Sequence, residues 1–196
     1  MTKGEQTRKM IIERSAPIFN KKGIAATAMS DIMEATQLSK GSLYVHFDNK
    51  DVLAEAVVDY NLELLEQKTL SAINRFTHPK DRLFAYIDAS YRDPLNPPVE
   101  GGCPMMNFGV EADDQNEVVR EKVAAMVNKS QQLIVDIIAQ GIRQGVFKAD
   151  WNYKEFATLM FAMLEGGVLI SKTTRKFDKT NIINRNLKKM IEAQLC

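Results

Sequence analysis

Two short stretches of the chain carry side chains whose type and spacing could do chemistry. The first is Ser39-Lys40-Gly41-Ser42-Leu43-Tyr44-Val45-His46-Phe47. Ser39 is placed to cap a helix whose first turn is Lys40, Gly41 and Ser42, so free N–H groups, a small hydroxyl and a cation point the same way, which suits a phosphate. Gly41 lets a backbone approach a ligand closely, while Tyr44, Val45 and His46 extend the same helix as donors and an apolar contact for base edges. The second stretch centres on Cys103, which comes after Gly101 and Gly102 and precedes Pro104 where a short helix starts. Free N–H groups and the helix dipole there favour a thiolate.

The elements that must position these groups are helical throughout. Ala28 to Lys50 reads as two short helices joined by a tight turn, a helix-turn-helix, with Ile32 and Ala35 on one face and Leu38 and Leu43 covering it. Before it, Glu5 to Lys22 places Ile11, Ser15, Ile18 and Phe19 on one side, and Gly23 closes the helix. After it, Asp48-Asn49-Lys50-Asp51 opens a long helix to about Ile73, and Pro79 stands just inside the next, with Leu83, Phe84, Ile87 and Tyr91 as its buried face. Residues 93–102, DPLNPPVEGG, must be a loop because they hold three of the six prolines. A short helix starts after Cys103-Pro104, a long one runs from Asn116 to Gly145, and Asn152-x-x-Glu155 has the pattern of a capping box for a helix reaching Lys172. A last amphipathic helix carries Ile183, Leu187, Met190 and Ile191. With no β pattern, the expected fold is all-α: a three-helix helix-turn-helix domain over 1–50 and a helical bundle over 51–196.

The helix after Asn152 is apolar nearly all round and needs partners on more than one face. Pairing the last two helices with a symmetry mate makes a four-helix bundle and a homodimer, with Gly166 and Gly167 allowing close approach.

Composition narrows the function. The chain has 196 residues, 45% hydrophobic and 26% charged, with no apolar run judged long enough to span a membrane and no secretory segment, so a cytoplasmic location without membrane contact is expected. Net charge is +1, but residues 1–50 hold eight Lys+Arg against five Asp+Glu (+3), leaving eighteen against twenty (−2) beyond. The basic excess accompanies the helix-turn-helix, as a phosphate-binding surface requires. Cys103 and Cys196 are too few for a disulfide framework, and His46 and His78 show no zinc spacing, so neither metal nor cofactor is expected. A thiol enzyme built on Cys103 would need His78 as base from a proline-flanked turn, with no oxyanion motif beside it, so the chain is not read as an enzyme.

The string from Ser39 to Phe47, together with Lys50 and Leu53 after it and Arg8, Ile11, Ile12, Phe19 and Gly23 before it, resembles the signature of the tetracycline-repressor (TetR) family of transcription regulators. Two positions depart from it: Met33 replaces a small residue and Gln37 the turn glycine. At positive φ, Gln37 would carry strain of about 1 kcal/mol. The resemblance implies a DNA-binding regulator, a repressor released from a palindromic double-stranded operator. Lys40, Ser42, Tyr44 and His46 would contact bases and phosphates, with Gly41 among them and Ser30 and Lys50 holding the backbone on either side. It also implies an effector pocket, for which Tyr86, Tyr91, Met105, Met106, Phe108, Phe161 and Met163 are candidate lining, adaptable enough for a small apolar or aromatic ligand. Gly-Cys at residues 102–103 together with Lys172 looks like the branch of the family that senses electrophiles and oxidants. A helical ligand-binding protein without DNA binding is the alternative; it would lack steeply salt-dependent retention on DNA.

Overall fold

The computed structural model describes residues 1–90, 99–113, 116–176 and 178–196. Among these residues it is all-α, with nine helices: α1 (Lys3–Lys22), α2 (Met29–Thr36), α3 (Lys40–Tyr44), α4 (Lys50–Ile73), α5 (Pro79–Ser90), α6 (Pro104–Ala112), α7 (Glu117–Arg143), α8 (Tyr153–Thr174) and α9 (Asp178–Glu192). Tyr91 and the part of the expected loop from Asp93 to Pro98 lie outside the described residues. The helices fall into two compact units, one of Met1–Leu65 with Val99–Ala125, the other of the described part of Glu66–Pro98 with Met126–Cys196.

In the first unit, α1 is the rail on which the helix-turn-helix is mounted. It starts earlier than its apolar stripe suggested, because Thr2 and Glu5 form a capping box. Ile11 and Phe19 are fully buried. Three cations spaced along α1 grip the helix-turn-helix at successive points. Lys22 pairs with Asp31 in the first turn of α2 at 2.8 Å, Arg14 donates to the Ala35 carbonyl near its end at 3.1 Å, and the Arg8 guanidinium lies 4.7 Å from the Phe47 ring centroid. The helix continues through Pro17, and α4 reaches it there, Asn61 donating to the Ala16 carbonyl at 3.2 Å. A Lys122–Asp59 pair at 2.6 Å ties the start of α7 to α4.

In the second unit, α9 packs against α8 and α5. Gly167 makes room: a Cβ there would sit 3.1 Å from the Ile183 side chain, and the neighbouring Ser171 and Thr180 hydroxyls are hydrogen-bonded in the buried seam. Gly166 faces open space, so only one of the two glycines is spent inside the chain. A short antiparallel bridge between Phe147 and Leu195 fastens the end of the chain to the α7–α8 turn, and the Cys196 N–H donates to the Val146 carbonyl at 3.2 Å.

Three expectations change. The Asn152 capping box does not form: Asn152 has ψ 69° and its side chain makes no cap hydrogen bond. Met190 is more than a third exposed while Leu187 and Ile191 are buried, so the face of α9 turned inward is narrower than its apolar pattern. By length and composition α8, with mean hydropathy 1.3 over its best window, does reach the span of a membrane. Glu165 in its middle would be costly there, and Phe156, Met160, Leu164 and Val168 are buried within the protein.

Two features of α2 are testable. Gln37, its C-cap, has φ 59° and ψ 29°, the left-handed conformation that glycine enters freely. Gln37→Gly is expected to raise unfolding free energy by about 0.5–1 kcal/mol, the relief of strain exceeding the added freedom of the unfolded chain; urea denaturation measures it. At the other end Ala28 has no side-chain acceptor, so the N-terminus of α2 depends on Asp31, which accepts from the Ala28 N–H at 3.0 Å. The hydrogen bond from Lys22, then that from Ala28, hold the Asp31 carboxyl below its ordinary value of 3.8. A lowered folded-state pKa means that the unfolded chain binds the proton more readily, so this stabilisation is complete above 3.8 and fades as the pH falls through the lowered value. Thermal melts of the protein and of Asp31→Asn should therefore differ at neutral pH and converge in acid.

Candidate nucleic-acid interface

The recognition helix α3 is a single turn, and its anchor is Leu43, only 1% exposed. Ser39 caps it from an extended conformation (φ −69°, ψ 158°), its Oγ accepting from the Ser42 N–H at 3.2 Å and pairing with the Ser42 hydroxyl at 2.9 Å. Lys40, Gly41, Ser42 and Tyr44 are exposed, and Gly41 has nothing within 4 Å of the position a Cβ would take. Tyr44 is 39% and Val45 79% exposed, so both side chains face solvent. Lys40 lies 5.9 Å from the Tyr44 ring centroid, so cation and ring share one face. Ser30, in the first turn of α2, is also exposed.

His46 does not extend this helix as the sequence suggested. α3 ends at Tyr44, Val45 is its C-cap, and the His46 and Phe47 N–H groups turn back onto the Leu43 carbonyl at 3.0 and 3.1 Å. Phe47 beyond it is 4% exposed. His46 is left half-buried just beyond the helix.

The basic excess of residues 1–50 is not all free surface charge. Arg8, Arg14 and Lys22 are occupied by their contacts along α1, Lys9 pairs with Glu13 at 3.7 Å, and Lys21 pairs with Glu100. Lys50, expected to contact phosphate, donates its ammonium to the carbonyls of Ile24, Thr27 and Ala25 at 2.9, 3.2 and 3.4 Å. An ammonium has three donors, and these are three acceptors.

The Cys103 segment belongs to the same unit. Cys103 is the N-cap of α6 with Pro104 at its first position, and its side chain makes no capping hydrogen bond; it is half-buried. Its carbonyl accepts from the Asn107 N–H at 3.0 Å. Asn107 in turn donates to the Asn20 carbonyl and Oδ1 at 2.8 and 3.0 Å, and Asn20 donates to the carbonyls of Glu100 and Gly102 at 2.8 and 3.0 Å. One turn further on, the Glu111 carboxylate accepts from the Ile24 and Ala25 N–H groups, both at 2.7 Å. None of Asn20, Asn107 and Glu111 stands out in the sequence; the only pointer was Gly23, a small residue beside the turn they hold. Lys172 is exposed in the last turn of α8, in the other unit.

The candidate pocket residues are divided in the same way. Met105 and Phe108 are buried and Met106 is half-buried on α6, while Tyr86 and Phe161 are buried and Met163 is half-buried in the second unit. None of them lines either of two open surface grooves, one of about 420 Å³ beside Arg8, Ile12 and Tyr60, the other of about 410 Å³ beside Asp88, Asn184 and Lys188.

Comparison with known proteins agrees with this geometry. The family model "Bacterial regulatory proteins, tetR family" matches residues 11–57, and "Tetracyclin repressor-like, C-terminal domain" matches residues 79–186. A TetR-family transcriptional regulator from Cytophaga hutchinsonii superposes with a TM-score of 0.94 at 32% identity, over 100% of this chain and 98% of that one. An uncharacterised HTH-type transcriptional regulator of Mycobacterium tuberculosis is 27% identical over 96% of this chain and 95% of its own. The HTH-type transcriptional repressor DhaR of a Mycobacterium species is 24% identical over 86% and 83%. With a solvent-facing recognition turn on a buried anchor and family matches across both halves of the chain, this protein belongs to the TetR family and is a DNA-binding transcriptional regulator.

Proposed function

We propose that the protein is a homodimeric repressor, released from a palindromic operator by a small apolar, aromatic or electrophilic effector. The observation that carries this reading is the exposed set Lys40, Gly41, Ser42 and Tyr44 on a turn whose only buried side chain is Leu43. Such a turn presents chemistry outward while its own position is set by packing. Lys40, Ser42 and Tyr44, with His46 beside them, meet base edges and phosphates, and Ser30 holds the flanking backbone. Residues 1–50 read the DNA; residues 51–196 receive the effector and dimerise. That a relative is named a repressor supports the direction of control.

Dimerisation uses the outward faces of α8 and α9. Leu159, Leu169, Ile170, Ile182 and Met190 are all more than a third exposed, and Gly166 among them faces open space. Leu159, Gly166, Leu169 and Ile170 follow helical spacing, as do Ile182 and Met190 two turns apart. Apolar side chains of this kind, exposed on each of two packed helices, are covered by their own copy under two-fold symmetry. The two readers then meet successive major grooves about 34 Å apart.

For release, two inputs are in view: a ligand held among Tyr86, Phe161 and Met163 of the second unit, or modification of Cys103. Cys103 heads α6, which is hydrogen-bonded to the end of α1 through Asn107 and Asn20, so a change there reaches the reader. A tenfold shift between binding states needs only about 1.4 kcal/mol.

Selection of bound sequences from random duplex DNA should return a palindrome whose half-sites lie about one helical turn apart, with binding that falls steeply as salt is added. Recovery of no sequence preference and no salt dependence would instead identify a ligand carrier. Tyr44→Ala should weaken the selected site about tenfold and alter its preferred bases. Leu169→Glu should convert the dimer to monomer in sedimentation and abolish operator binding at the same concentration; a wild-type protein that sediments as monomer at micromolar concentration refutes the interface. Screening oxidants, electrophiles and aromatic compounds for operator release, with Cys103→Ser alongside, separates the inputs: unchanged release by electrophiles in Cys103→Ser removes the thiol.

A further inference from the structure

The turn between α1 and α2, residues 23–28, is held by two groups of opposite charge. The Glu111 carboxylate takes the N–H groups of Ile24 and Ala25, both at 2.7 Å. The Lys50 ammonium takes the carbonyls of Ile24, Thr27 and Ala25. Ionised partners make such backbone bonds short and strong. Gly23 is what admits the carboxylate: a Cβ at that position would stand 2.7 Å from Glu111 Oε2, and φ is +83° besides. A passage kept clear by a glycine and filled by a charged side chain 87 positions beyond Ile24 is a built contact. Asn107 binds the last turn of α1 from the same helix, so α6 is attached to the reader at two points.

We infer that Glu111 and Lys50 are positioning residues for DNA recognition, acting on the operator through the Ile24–Thr27 backbone and not by touching DNA. This rests on the operator-binding reading proposed for the protein. The turn leads directly into α2, whose first residues are fixed by Asp31 on Ala28 and Lys22, and α2 carries α3. Loosening the turn therefore tilts the recognition turn, and base readout suffers while the phosphate attraction of the surface persists. Lys50 has given its three donors to carbonyls and contributes no phosphate contact.

The test uses the full-length protein, the selected duplex, and an unrelated duplex of equal length. Glu111→Gln and Lys50→Met should each weaken the selected duplex about tenfold, leave low-salt binding to the unrelated duplex unchanged, and leave the slope of log affinity against log salt unchanged. Glu111→Gln should also speed amide exchange at Ile24 and Ala25. Unchanged affinity of Glu111→Gln for the selected duplex overturns the assignment of Glu111, and a slope reduced by about 0.9 in Lys50→Met makes that residue a phosphate contact after all. Should either variant lose helicity, amide exchange in the wild-type protein decides: Ile24 and Ala25 protected supports the clamp, and exchange as fast as an open turn overturns it. A wild-type protein that binds no duplex in a salt-dependent manner refutes the operator reading, while the exchange result still reports on the clamp by itself.

Discussion

Backbone polar groups in a turn must find partners, and in this protein those of the turn after α1 find them in two charged side chains from distant parts of the sequence. Glu111 satisfies the donors and Lys50 the acceptors. Ionised partners make such bonds short and strong, so they favour this conformation of the turn over its alternatives. That constraint is what the helix-turn-helix stands on. A one-turn recognition helix has little intrinsic stability, since nucleating a helix fixes many dihedrals for few hydrogen bonds; its direction must be imposed by its neighbours on either side.

The imposition is mostly electrostatic at the edges and apolar in the middle. Ile32, Leu43 and Phe47 supply the buried seam, and Lys22, Arg14 and Arg8 of α1 hold the start of α2, its end, and the ring after α3. Many of the cations that give residues 1–50 their positive balance are therefore internal ties. Basic composition predicted a nucleic-acid surface, and the family bears out DNA binding, while several of these cations also tie the unit together.

The same economy governs α8. A helix apolar nearly all round must cover every face, and here one face is taken by α9, with Gly167 bringing the two close. The face through Leu169 and Gly166 stays open. Two adjacent glycines thus have different uses: one shortens an internal distance and the other leaves a flat outer surface.

How much of this could be read from residues alone depends on the range of the forces involved. Apolar periodicity, caps and prolines act within a turn or two, so they determined the all-α fold, the starts of α5, α6 and α7, the closing role of Gly23 and the outward set on the recognition turn. They ran α3 two residues too far, to His46, since helix ends fray over one or two residues, and they misjudged Asn152, whose backbone leaves its side chain without a cap bond. The charge clamp was invisible for a deeper reason. Glu111 and Ile24 are 87 positions apart, a lone glutamate on a short helix looks like any solvated acid, and a lysine after a helix-turn-helix looks like a phosphate ligand. Only the folded backbone, by bringing bare N–H and C=O groups within reach of those two charges, decided that they belong to the same turn.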